Sequence, residues 1–241
     1  MPELFPLKPI PELTAMENNL MDFDFPDFAG SCGVENCADF SRKCEVLRNY
    51  LCQCNEHVNL TRLTSESDFY LKHAADSLII ARFFPELITG KFEIADIGCG
   101  AGFPSLILAL AFPQLQITAI DSIGKKINFV REAAKLLGLT NLQAICGRSV
   151  ELNCRKEFQN RFDIVTARAV APTPKIYREA SKFIRCNGRF IFYKTPAQAA
   201  EEAPELLKIK NIRWHNSEIF TLPGNAGERL FTVGEISSEK K

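Results

Sequence analysis

From Gly90 onward the sequence switches repeatedly between short apolar runs and stretches whose apolar residues recur three and four apart. FEIADI, LQITAID, NLQAIC, FDIVTARA and RFIFYK read as buried strands. Between them come SLILALAF, a segment carrying Ile123, Ile127, Val130, Ala134 and Leu137, and a stretch from about Pro174 to Ile184, which read as helices. Strands that alternate with helices build a parallel sheet covered on both faces. The punctuation agrees: Pro104 suits the first turn of one helix, Pro113 ends it, Ser122 suits the cap of the next and Gly138 closes it. The ending differs, because NIRWHNSEIF and RLFTVGEI are two strand-like runs joined by TLPGNAGE. The expected fold is therefore α/β, Rossmann-like, a mostly parallel doubly wound sheet with an antiparallel C-terminal hairpin strand.

Upstream, Cys44, Leu47, Tyr50, Leu51 and Cys54 lie on one helical face, and a second helix is expected from Ser67 to about Phe84. The first 36 residues hold five prolines and show neither periodicity. Three units follow: an acidic, proline-rich mobile tail over 1–36, an N-terminal helical cap over 37–89, and the sheet domain over 90–241. The tail's character shows in the charge, since residues 1–40 carry eight acids against one base, and the remaining 201 carry 28 bases and 21 acids. A basic body suits a polyanionic partner.

The longest apolar stretch, Leu106 to Phe112, is far too short to span a bilayer, so no membrane association is expected. The start lacks a basic region followed by an apolar one, so a cytoplasmic location is expected. Nine cysteines, an odd number, fit that compartment as reduced residues, and their spacings match no paired zinc arms, so no metal is expected.

In a doubly wound sheet, ligands sit beyond the carboxyl ends of the strands, which is where IADIGCGAGFPS falls. A phosphate loop needs GK[ST] after its glycines, and GCGAGFPS has none. A dinucleotide fold needs a small residue at the sixth position from Gly98, where this chain has the bulky Phe103. The spacing is instead D-x-G-x-G-x-G, from Asp96 through Gly98 and Gly100 to Gly102, with Asp121 closing the second strand. An acid there can accept from both hydroxyls of an adenosine ribose. Together these features suit S-adenosyl-L-methionine, which has a ribose and an amino-acid tail but no phosphate.

The chain also carries NLT (Asn59 to Thr61), H-x-x-D-S (His73 to Ser77), D-x-G-x-G-x-G-F-P (Asp96 to Pro104), DS-x-GKK (Asp121 to Lys126), F-V-R-E (Phe129 to Glu132), GR (Gly147, Arg148), FD…RA (Phe162 to Ala169), NGRF (Asn187 to Phe190) and GER (Gly227 to Arg229). In these it resembles the RsmG (GidB) family of bacterial small-subunit rRNA guanine-N7 methyltransferases, from about Cys44 to Ile236. It departs from the family at Cys54, where tryptophan is common, at Ser105 after Phe103-Pro104, where glycine is usual, and at Thr195 after Lys194, also usually glycine.

The resemblance implies a class I methyltransferase fold and places cofactor contacts on Gly98, Phe103, Ser149, Val150 and Arg168, beside Gly100 and Asp121 from the loop reading. It implies as substrate 16S rRNA or the small ribosomal subunit particle, with Lys125, Lys126, Arg148, Lys194 and Arg229 as candidates for its phosphates. A monomer is expected. No catalytic general base is expected, because guanine N7 offers a lone pair and no proton, and His73 reads more simply as a polar tie between helix and sheet. Two rival readings stay open: a methyltransferase of the same fold acting on a small molecule or protein, and a non-catalytic ribosome-binding assembly factor.

Overall fold

The computed structural model describes residues 23–236. Five parallel strands form the centre: β1 (Glu93–Ile97), β2 (Gln116–Asp121), β3 (Leu142–Cys146), β4 (Phe162–Arg168) and β5 (Ile184–Lys194). With β6 (Arg213–Asn216) and β8 (Glu228–Glu235) they run in the order β3-β2-β1-β4-β5-β8-β6, and β7 (Phe220–Thr221) pairs with β8 alone. The strand order reverses at β1 and β4, as a doubly wound sheet requires. The expected antiparallel hairpin is present, with β8 inserted between β5 and the edge strand β6.

Side chains alternate across each strand and so feed two cores. Ile94, Ile117, Ile164 and Ile191 face one layer, while Ala95, Val165, Ala167, Phe190 and Phe192 face the other. The first layer holds α1 (Phe25–Ser31), α2 (Cys37–Val58), α3 (Ser105–Ala111) and α4 (Gly124–Leu136). The second holds α5 (Ser149–Leu152) and α6 (Thr173–Ala180), with α7 (Pro196–Leu206) beside α6.

Three local expectations are corrected. The tail boundary at residue 36 is too late: Asp24 caps α1 by accepting from the Asp27 amide at 2.9 Å, and Phe25 and Ala29 are buried against the cap. The proline and acids that disguised this segment are its N-terminal turn. Residues 1–22 lie outside the described residues. Ser122 does not cap α4; the Asp121 carboxylate accepts from the Ile123 amide at 2.8 Å instead. Finally, PAQAAEEAPEL, expected to form no element, is α7, opened by a capping box between Thr195 and Gln198.

The expected second cap helix runs as Glu66–Asp68, then a π-helical Phe69–Ala75, then short turns at Asp76–Leu78 and Ile80–Phe83. Wide turns of this kind commonly occur at functional sites, and this one aims Lys72, His73 and Asp76 at the sheet. All nine cysteines are free, and burial pushes the Cys32 thiol up to about 12. Among the described residues no helix is long and apolar enough to cross a membrane, and no group of three or more His, Cys, Asp or Glu could hold a metal ion.

Candidate functional site

Parallel register brings the carboxyl ends of the central strands to one level. Ile97 pairs with Ile120 and Ala167, Asp121 with Cys146, and Arg168 with Tyr193. The glycine loop leaves β1 at this edge, and Gly98, Gly100 and Gly102 take φ of 68°, 58° and 85°. A Cβ on Gly98 would also sit 2.5 Å from Val170 of the loop after β4, so both backbone and space exclude a side chain there. Two amides, of Gly98 and Cys99, donate to Ile120 O at 2.7 and 3.0 Å and fold the loop back over β2.

Two carboxylates hold this turn. Asp96 is buried and accepts from the Ser105 hydroxyl at 2.5 Å and the Thr166 hydroxyl at 3.2 Å, linking α3 and β4 to the loop. Burial raises its pKa to about 6, against the lowering effect of those bonds. Asp121 accepts from the Gly100 amide at 3.0 Å through the oxygen that does not hold Ile123. Each of its oxygens retains a second lone pair, so acceptor capacity for a ligand remains.

The cap closes the other side. Asn59 ends α2 in the left-handed conformation, and the Asn55 side chain clamps the loop beyond it, donating to Thr61 O at 3.0 Å and accepting from the Thr61 amide at 2.9 Å. This delivers Thr61 to His73, whose Nε2 lies 3.2 Å from the hydroxyl. The imidazole stacks on Phe103 with ring centres 4.4 Å apart, and its Nδ1 lies 3.3 Å from Nη2 of Arg168. Arginine can only donate, so Nδ1 accepts and the ring proton sits on Nε2. Burial, then the Arg168 charge, lowers the His73 pKa to about 3. His73 is thus a neutral tie between cap and sheet with both nitrogens engaged.

Arg168 ends β4, and its Nη1 donates to Lys72 O at 2.7 Å and to Asp76 Oδ2 at 2.8 Å. Nε of Arg229, on β8, lies 3.2 Å from the other Asp76 oxygen. One buried carboxylate therefore gathers two arginines, from the strands on either side of β5. Tyr193 seals the base by donating to Ser77 O at 3.0 Å.

Between cap and strand ends lies a cavity of about 400 Å³. Of the expected cofactor residues, Gly98, Gly100, Phe103 and Arg168 line it, and of the expected phosphate contacts, Lys126, Lys194 and Arg229 do. Asp121, Ser149, Val150, Lys125 and Arg148 are outside its wall. Ser149 donates to Glu179 at 2.9 Å, and Val150 is exposed. Lys194, expected to meet RNA phosphates, is instead buried: its ammonium donates to Glu202 at 2.7 Å and to Ala171 O at 3.2 Å. The reason is α7, absent from the sequence reading, which carries Glu202. Asp76, Tyr193 and Asn55 were also not assigned to the site; Asp76 stood inside H-x-x-D-S, and only its two partners reveal its place.

Known proteins agree with this geometry. The model of the GidB family, rRNA small subunit methyltransferase G, matches residues 41–221. The chain belongs to that family. A ribosomal RNA small subunit methyltransferase G from Leuconostoc mesenteroides is 35% identical over 212 residues, covering 87% of this chain and 88% of that protein. The protein of the same description from Limosilactobacillus reuteri is 38% identical over 195 residues, covering 79% and 81%. Among solved structures, an O-methyltransferase from Bacillus cereus in complex with SAH superposes with a TM-score of 0.56 at 14% identity, covering 80% of this chain and 91% of that one. A putative O-methyltransferase from Klebsiella pneumoniae gives 0.55 at 13% identity, covering 80% and 90%. At such identities the likeness is one of fold, that of class I S-adenosylmethionine-dependent methyltransferases.

Proposed function

We propose that this protein transfers a methyl group from S-adenosyl-L-methionine to N7 of a guanine in small-subunit ribosomal RNA. The observation that carries the reading is the family match over residues 41–221, which spans the cap, the glycine loop and the strand ends around the cavity.

The residues fit the donor. The cavity volume is within the range of about 300–1,000 Å³ usual for small-molecule sites. Asp121 has acceptor capacity left for ribose hydroxyls. Ile123 and Val170, on the loops after β2 and β4, and Val150, in the first turn of α5 after β3, expose 47%, 44% and 49% of their surface, an uncovered apolar rim suited to a purine ring. The donor supplies a sulfonium methyl, an electrophile that a neutral purine nitrogen can take without a base.

The chain's task is then placement. Gly98 and Gly100 let the backbone approach the ligand without side chains between. Arg168, held by Lys72 O and Asp76, fixes the far wall and directs positive charge to an anionic group such as a carboxylate. His73 holds Phe103 in place and takes no proton, because both its nitrogens are occupied. Orientation of two bound reactants supplies the rate enhancement.

The test is incubation with methyl-labelled S-adenosylmethionine and small subunits lacking the modification, followed by digestion of the RNA to nucleosides. Label in 7-methylguanosine is expected. Label in another nucleoside or in protein, or none despite cofactor binding, would overturn the reading.

A further inference from the structure

The α1–α2 part of the first layer and the α5–α6 face on the other side of the sheet differ in charge, while α4, in the first layer, carries Lys125, Lys126, Arg131 and Lys135 against Glu132. On the cap side, α1 and α2 hold Asp24, Asp27, Glu35, Asp39, Glu45 and Glu56 against Arg42, Lys43 and Arg48, and all three bases lie within 4 Å of an acid, Asp39 or Glu66. The segment 148–185, which supplies α5 and α6 on the opposite side, contains nine bases, one of them Arg168 facing the cap, and four acids. Six of those bases, Arg148, Arg155, Lys156, Lys175, Arg178 and Lys182, are exposed. Among the described residues none of the six makes an ion pair.

They form one surface because α5 and α6 are tied side by side. The Ser149 hydroxyl donates to Glu179 at 2.9 Å near one end, and the Lys182 amide donates to the Asn153 side chain at 2.9 Å near the other. The first tie also occupies the acid nearest the middle of the patch. Lys175, Arg178 and Lys182 follow each other at steps of three and four, a row of about 10 Å on the outer face of α6 and the turn after it. Ile176 and Ala180 on the inner face are buried. Arg148 precedes α5 immediately after β3, at the level of the strand ends, so the basic surface starts beside the cavity and continues down the outside of the sheet.

We infer that this α5–α6 face binds the phosphate backbone of the RNA flanking the target guanine, separately from the cavity that receives the base. The inference rests on the proposed function. Leaving six long cations unpaired on one face, while the three on α1 and α2 are paired, is the electrostatic pattern that a polyanion satisfies. Lysine and arginine here position the RNA without reading its sequence, whereas the cavity selects the base.

The experiment compares wild type with Lys175→Ala/Arg178→Ala/Lys182→Ala, and with Arg155→Ala/Lys156→Ala as a second variant. All five side chains are exposed, and equal thermal unfolding verifies the fold. Binding to an RNA fragment containing the methylated site is measured across a salt series, and KM and kcat with small subunits are measured alongside. The triple variant should lose about two to three units of the slope of log K against log salt, near one per contact removed. KM should rise at least tenfold at moderate salt, with kcat at saturation and affinity for S-adenosylhomocysteine unchanged. Neutralising Arg42 and Lys43 on the acidic face should alter none of these. An unchanged slope and KM in both basic-face variants would overturn the inference. So would a KM that rises for the particle with an unchanged salt slope on the RNA, which would assign the face to a ribosomal protein. Failure of wild type to methylate the particle would instead overturn the proposed function.

Discussion

Replacing Asp76 by alanine should cost this protein much of its stability. The Asp76 side chain is 4% exposed, with Arg168 Nη1 at 2.8 Å and Arg229 Nε at 3.2 Å, on side chains 13% and 21% exposed. Removing one partner of a buried ion pair costs about 3–5 kcal/mol, because the other charge is left without compensation. Both guanidiniums keep some contact with water, and Arg168 keeps the Lys72 carbonyl at 2.7 Å, so the cost falls below that range, at about 2–3 kcal/mol. For a chain of this size that is a fall in Tm of about 5–10 °C. Asp76→Asn keeps the acceptor for Arg168 and loses only the charge, so its cost should be smaller. Calorimetric unfolding of wild type, Asp76→Ala, Arg168→Ala and the double variant completes a cycle that isolates the pair. An Asp76→Ala protein with unchanged Tm, or a coupling near zero with Arg168, would refute the claim that this carboxylate joins cap to sheet.

Asp121→Ala should weaken S-adenosylhomocysteine by about 10- to 150-fold, the worth of about 1.5–3 kcal/mol for a charge-assisted acceptor; equal affinity by titration calorimetry in a folded variant would remove Asp121 from the site. Lys194→Ala should act on stability, by about 3 kcal/mol through the stranded Glu202 carboxylate, and spare RNA affinity once folded; unchanged denaturant unfolding with weakened RNA binding would restore it as a phosphate contact. His73 has a folded pKa near 3, below its unfolded value of 6.5, so its contribution is complete above pH 6.5 and is lost as pH falls toward 3. Asp96, raised to about 6, acts in the opposite sense between about pH 4 and 6, so the comparison must be with His73→Gln, whose stability should approach that of wild type as pH falls; parallel pH curves for the two would exclude the effect. Gly98→Ala should abolish cofactor binding, and Val170→Gly should rescue it only in part, because it clears the 2.5 Å contact and leaves φ at 68°; full rescue would mean the backbone tolerates the residue.

The alternation after Gly90 was enough for the sheet's class, and the β1–loop–α3 unit was legible down to Asp96 and Gly98, because strand period, turn glycines and helix start are choices each segment makes locally. Asp121 could be placed at the ligand edge for the same reason: it is the last residue of a strand whose register with β1 follows from their lengths. The short helix α1 and α7 were missed, since a proline in a first turn, joined in α1 by acids, looks like loop until a cap is identified; for α7 the capping box of Thr195 with Gln198 was the readable signal. What only tertiary structure decided is the partner of each charge. Arg168 and Asp76 are 92 residues apart, and Lys194 meets Glu202 only because α7 folds back over β5. Local sequence determines which charges exist and on which element; whether a cation reaches water, a ligand or a buried carboxylate depends on which elements pack against it, and that is set by the whole chain's burial of its two cores.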